Sequence, residues 1–216
     1  MSRFLTFFNL FVAFALMHPV LAKETNLIRN SKQLIVITTP SFYNYRGVLQ
    51  LFTREKKGLA WRPTGKPTPV VVGKQGMAWD SNFNYHGPQS IMKKEGDNHT
   101  PIGVYAIGPV FGFSKKNKYI KINYRPLKDS SVCVDDPQSK YYNQIIDREQ
   151  ITFVDWNSAE QMRQTPQYKL GAVVKYNTAP TRTNAGSCIF FTYLEKCFFW
   201  DSRVYCNGQK GPISIA

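Results

Sequence analysis

A succession of short apolar, β-branched runs, each closed by a turn-forming cluster, narrows the fold more than any other feature of this chain. Leu34-Ile35-Val36-Ile37 reads as a buried strand. Val48 to Thr53 and Leu59 to Arg62 flank Lys57-Gly58, a hairpin pattern. Thr64 to Pro69 reads as a Pro-rich loop, and Val70-Val71-Val72 as a strand ending at Gly73. Gly103 to Ile107 follows a Thr100-Pro101 turn. Tyr119 to Ile122 alternates, so one of its faces should be wet. Ala172 to Tyr176 and Ser187 to Phe191 complete the set. One segment has helical signals. Ser158 precedes Gln161 at capping-box spacing, Ala159, Met162 and Tyr168 supply a buried stripe, and Pro166 ends or kinks it. The expectation is one mainly β domain with one or two short helices.

The first segment stands apart. Arg3 is followed by an almost wholly apolar run from Phe4 to Leu16, then by Val20-Leu21-Ala22, whose small residues suit a signal peptidase. Residues 1–22 read as a secretory signal, shorter than a membrane span. Pro19 and Ala22 favour cleavage over retention as an anchor. No later run is apolar enough to span a bilayer. The expected location is outside the cytoplasm: periplasm, cell envelope or medium.

Net charge is +14. From Thr192 onward Lys196, Arg203 and Lys210 stand against Glu195 and Asp201, so nearly all of the surplus lies between Lys23 and Phe191. A basic exported body suits an anionic partner: cell-wall polymer, acidic glycan or lipid surface. Nucleic acid is not expected, because the cations are scattered along the chain and the protein is exported. A basic surface serving solubility alone is the bland alternative.

Four cysteines, Cys133, Cys188, Cys197 and Cys206, are compatible with disulfides in an oxidising compartment. Cys133–Cys188 is the bridge to expect in the body, and Cys197 and Cys206 could pair across a short hairpin. No pair has metal-ligand spacing, and after the signal only His86 and His99 remain, so no metal site is expected. Several polar fragments read first as structure. Glu95 to Gly103 is a tight turn feeding a strand, and Asp135-Asp136 a solvated turn. Tyr141-Tyr142 suits core packing better than sugar stacking, and His86 beside Gly87-Pro88 a loop better than a general base. Cys188 in Gly186-Ser187-Cys188 is weighed as a nucleophile, but no histidine lies near it in sequence to lower its pKa.

Taken in order, six fragments resemble the L,D-transpeptidase catalytic domain (YkuD type) of exported bacterial proteins. They are Leu34-Ile35-Val36 with Thr38-Thr39-Pro40, Glu95-Gly96-Asp97 to Thr100-Pro101-Ile102-Gly103, and Cys133-Val134-Asp135-Asp136-Pro137. The others are Tyr141-Tyr142-Asn143 with Ile146-Asp147, Val154-Asp155-Trp156-Asn157, and Gly186-Ser187-Cys188-Ile189-Phe190-Phe191. The resemblance covers residues 33–191. It implies a β-sandwich-like domain that acts on peptidoglycan stem peptides. A cysteine thiolate attacks a carbonyl, a histidine serves as base, an acyl-enzyme forms, and no cofactor takes part. In this branch the strand after Gly-Ser-Cys-Ile-Phe ends in the histidine, and Thr-Ala-Gly-Cys follows with the nucleophile.

Here the pattern stops. Thr192 stands at the histidine position, and no Thr-Ala-Gly-Cys follows. Cys188 and residue 192, four apart, are expected on one strand face roughly 13 Å apart, too far to act together. Read one base out of frame from Thr192, the codons permit His-Ile-Trp-Lys-Asn-Ala-Ser-Ser-Gly-Thr-Ala-Gly-Cys-Thr-Ala-Met, the missing end of the motif. By frame the nucleophile position falls on Val204, with Cys206 the weak rescue candidate. The expectation is therefore a one-base frameshift at Thr192, residues 192–216 forming an aberrant tail, and no intact catalytic pair. Substrate-binding residues are not legible. A non-catalytic peptidoglycan-binding or secreted basic protein is the alternative.

Overall fold

The computed structural model describes residues 26–82, 91–118, 120–200 and 203–215, the last two stretches by backbone alone after Thr192. Residues 1–22, read above as a signal, and also His86 and Tyr119 lie outside the described residues. The fold is mainly β, with one helical turn over residues 26–30 ahead of β1 and short 3-10 turns between strands. Among the described residues no helix is long and apolar enough to cross a membrane.

Thirteen strands follow one another: β1 Gln33–Thr38, β2 Arg46–Thr53, β3 Arg62–Val71, β4 Met77–Trp79, β5 Thr100–Ile102, β6 Ile107–Gly112, β7 Tyr124–Pro126, β8 Ser131–Val134, β9 Gln144–Asp147, β10 Ala159–Gln161, β11 Leu170–Val174, β12 Phe190–Trp200 and β13 Arg203–Ile215. Eight of them form one sheet in the order β1-β2-β3-β13-β12-β11-β6-β7. A second sheet, β10-β8-β9, and the pair β4-β5 complete the architecture.

The two larger sheets share a core. Phe111 of β6, Phe190 of β12 and Tyr168 meet edge to face, with ring centroids 5.0–5.8 Å apart. Such pairs add about 0.5–1.5 kcal/mol each beyond area burial. Leu127, Met162, Cys133 and Cys188 close the cluster. Gly171 is required at its place in β11, since a Cβ there would come within 2.5 Å of the Phe111 ring. A second cluster of Val174, Tyr176 and Ile189 continues the core along β11.

Several strands differ from the sequence reading. β3 begins at Arg62 and runs straight through Thr64 to Pro69, the stretch read as a loop. Its prolines are tolerated because β3 is largely exposed there and its register with β2 slips between Leu49 and Leu51, which relieves the ladder of some donors. Residues 103–106 are not a strand; pairing starts at Ile107, opposite Val174. Residues 120–122 are also irregular, so their alternation reflects no sheet. The segment expected to be helical instead forms β10, then two 3-10 turns at Met162–Gln164 and Pro166–Lys169. Ala159, Glu160 and Gln161 pair with Val134, Cys133 and Val132 of β8, and the Ser158 hydroxyl donates to Asp135 rather than capping a helix. Met162 and Tyr168 are buried as the stripe required, and Pro166 sits at the first position of its turn, where its missing N–H costs nothing.

Glu160 is the costly member of this region. Burial foremost, with the Asp135 and Glu95 carboxylates, lifts its carboxyl above the ordinary range, although the Tyr168 hydroxyl donates to it at 2.6 Å. A raised carboxyl pKa means that the unfolded chain ionises first as pH rises, so the native state loses stability from the ordinary glutamate value upward. Glu160→Gln keeps an acceptor for Tyr168 and removes the buried charge. It should raise the thermal midpoint at pH 7 by a few degrees and have little effect at pH 4, as read by thermal unfolding at the two pH values.

Candidate functional site

The segment that leads into β12 is gripped from three sides. Asn143, at the start of β9, is in the left-handed region with φ 63°, which asparagine tolerates better than most residues. Its Oδ1 accepts the Cys188 N–H at 2.9 Å, and its Nδ2 donates to the carbonyls of Tyr176 (2.9 Å) and Asn177 (2.8 Å). Asn177 repeats the device from β11's end. Its Nδ2 donates to the Gly186 and Arg182 carbonyls, both at 2.9 Å, and its Oδ1 accepts the Arg182 N–H at 2.7 Å. From the third side Tyr142 donates to Glu95 and accepts the Gly186 N–H at 3.0 Å. Burial first, and then the Glu95 carboxylate, hold the Tyr142 phenol well above its ordinary pKa, so it remains a donor. Gly186 adopts φ 101°, and any Cβ there would meet the Lys93 stem at 3.0 Å.

Cys188 completes the grip. It is joined to Cys133 of β8, with an S–S distance of 1.97 Å, which ties the small sheet to the main one. Its φ is +54°, and β12 begins only at Phe190. The expectation that Cys188 and residue 192 share an extended strand face is therefore corrected. The disulfide and the Asn143 bond turn the backbone at Cys188, so strand arithmetic does not apply there. Both sulfurs are consumed, and Cys188 offers no thiolate.

The polar turn Glu95 to Gly103 is built around Asp97. Burial opposes its ionisation, but Lys93 Nζ at 2.5 Å and the backbone N–H groups of His99 and Lys94 prevail and hold its carboxyl below the ordinary range. His99 Nδ1 lies 3.6 Å from the same carboxylate. These groups serve the turn and the start of β5. Asp136, read as a solvated turn residue, is instead buried and accepts from Asn157 twice and from Gln138. Tyr142 packs in the core, and Tyr141 stands edge-on to Trp156 at 5.7 Å.

The positions at which the resemblance places base and nucleophile are far apart. Thr192 is buried in β12, opposite Gly171 of β11 and Ser214 of β13. Val204 lies opposite Phe199, and Cys206 opposite Cys197. Cys197 is five positions and Phe199 seven positions beyond Thr192, about 17 and 23 Å along β12. The arrangement therefore keeps Cys206 and Val204 away from the Thr192 position. The tail itself forms a long hairpin whose last residues, Ile213 and Ser214, pair in parallel with Val70 and Val71 of β3. Of the two outcomes open to the tail, strand or loose end, the structure has the strand.

Beside the disulfide is a cavity of ≈ 260 Å³, walled by Phe111, Val173, Ile145 and Phe190, with Arg125, Asn143 and Gln144 as its polar members. Among the described residues no group of three or more His, Cys, Asp or Glu could hold a metal ion. Sequence reasoning missed Asn143, Asn177 and Lys93 as organising residues. The one signal for the asparagines was their tolerance of left-handed backbone, which composition alone does not locate. No family model, no curated protein and no solved structure matches the chain.

The bridge closes a loop of 55 residues. In the chain-entropy description such a loop is worth about 4 kcal/mol. Denaturant unfolding with and without reductant should differ by about that amount. Iodoacetamide without reductant should label neither Cys133 nor Cys188 in peptide mapping.

Proposed function

We propose that this chain is an exported L,D-transpeptidase-type domain of peptidoglycan metabolism that is catalytically inactive because its C-terminal motif has been lost at Thr192. The single observation that carries the reading is the run of six motif fragments in order from residue 33 to Phe191, ending at the residue where the histidine should stand. One feature of the geometry supports it. The segment Gly186 to Phe190 is held by two asparagine amides, a phenol and a disulfide, the kind of support that a site delivering a reactive side chain from the next strand requires.

Inactivity follows from chemistry. A threonine hydroxyl at position 192 takes no proton near neutral pH. The remaining cysteines of the tail, Cys197 and Cys206, lie in register about 17 Å beyond it. Neither has a base at the position that the family reaction uses. The family reaction is acyl transfer from a stem peptide through a cysteine thioester, with an amine or water as acceptor and without a cofactor.

The test uses two chains: the protein as written, and the same gene with the frame shifted by one base at codon 192. After incubation with disaccharide-tetrapeptide, intact-mass analysis should find no adduct on the first and a stem-peptide acyl adduct on the second, at the cysteine of its restored Thr-Ala-Gly-Cys. An adduct on Cys197 or Cys206 of the unshifted chain would overturn inactivity. If the shifted codons do not encode the motif, the frameshift account fails.

The basic body supports a second reading, a non-catalytic protein that holds peptidoglycan or another anionic wall polymer. Salt-sensitive co-sedimentation of the unshifted chain with purified sacculi is its expected signature. Absence of binding at low salt rules it out.

A further inference from the structure

The cations that look scattered in the sequence gather at one end of the fold. The β2–β3 connection carries Lys56 and Lys57, both exposed, and Arg62 opens β3 opposite Thr53. The short helical turn over residues 26–30 and the start of β1 bring Arg29 and Lys32 to the same end. Arg54 nails the two parts together. Its guanidinium donates to the carbonyls of Ile28 (2.6 Å), Arg29 (2.6 Å) and Ser31 (2.8 Å), and lies 4.1 Å over the Trp61 ring. Lys57 Nζ adds a bond to Asn30 Oδ1 at 3.3 Å. Among the described residues of these segments Glu55 is the one carboxylate.

This end is also apolar. Leu59, in the same connection, is 51% exposed, beside Trp61, which is half-buried under Arg54. A hydrated polymer rewards the cations but not an exposed leucine. A lipid surface rewards both, since cations meet anionic headgroups while leucine and tryptophan enter the interfacial layer.

We propose that the β2–β3 hairpin end, with Lys56, Lys57, Leu59, Trp61, Arg62 and the neighbouring Arg29, is a docking surface for an anionic lipid bilayer. It goes beyond the reading above and does not depend on it.

The experiment is vesicle co-sedimentation of the full chain as exported, using phosphatidylcholine vesicles with and without phosphatidylglycerol at low and high salt. Wild type should pellet with the anionic vesicles only, and salt should release it. The variant Lys56→Gln/Lys57→Gln/Arg62→Gln should bind on the order of 100-fold more weakly, following the worth of each cation at such a surface. Leu59→Ser, which leaves the charge intact, should weaken binding at low salt by a smaller factor. Circular dichroism confirms that each variant is folded. Equal binding to neutral and anionic vesicles overturns the proposal, as does a folded triple variant that binds like wild type. Pelleting with purified anionic wall polymer but not with vesicles overturns it in favour of the polymer.

Discussion

The union of Cys133 and Cys188, reinforced by the Asn143 amide, is the constraint on which the arrangement of the two sheets rests. It brings β8 and β9 against the segment preceding β12, so that Phe190 enters the aromatic cluster with Phe111 and Tyr168. Without it the small sheet would be held by side-chain packing and by the hydrogen bonds of Asn143 and Tyr142. With it, the backbone turns at Cys188 and the strand after it starts in a defined direction. The asparagine completes the hold because one side chain satisfies a donor and two acceptors that would otherwise be left without partners in a largely buried place.

The tail has an unexpected structural position. Because β13 lies between β3 and β12, the segment after Thr192 joins the β1–β3 unit to the rest of the large sheet. The contact with β3 is brief, at Ile213 and Ser214 only, whereas the hairpin with β12 is long. A stretch rich in aromatic and β-branched residues forms ladders readily, whatever its origin, because pairing depends on backbone groups and on side chains that fit a pleated surface. Strand formation in the tail thus says nothing in favour of a catalytic purpose. The same hairpin sets Cys197 and Cys206 opposite each other and away from residue 192, consistent with the loss of function proposed for this chain.

Much of the fold was legible. The runs at Leu34 to Ile37, Val48 to Thr53 and Val70 to Val72 became β1, β2 and the end of β3, because apolar β-branched residues at strand length have few other ways to be buried. Lys57-Gly58 was rightly read as a turn, with Gly58 at φ 87°. The failures share a cause. Ser158 to Tyr168 carried every local sign of a helix, but β8 offered an edge to Ala159, Glu160 and Gln161, and tertiary pairing overrode the local preference. Thr64 to Pro69 looked like a loop because proline is a poor ladder donor, yet an exposed strand with a slipped register needs fewer donors there. The polar site was less legible than the fold. Asn143 and Asn177 act through partners from Tyr176 to Cys188, and nothing local marks which asparagine will find them.

The sequence by itself determined the β character of the chain, its basic charge and the turn chemistry of Glu95 to His99, while Thr100-Pro101, read as a turn, belongs to β5. These are properties of residue type and spacing, and they need no knowledge of what lies across a sheet. Only the tertiary structure decided which strands neighbour one another, that Arg182 reaches Asp80 across 102 positions, and that Arg29, Lys32, Lys56, Lys57 and Arg62 share one end. Such meetings depend on register and on strand order, which long-range pairing sets, so residues far apart in the chain acquire a common surface only once the sheet has closed.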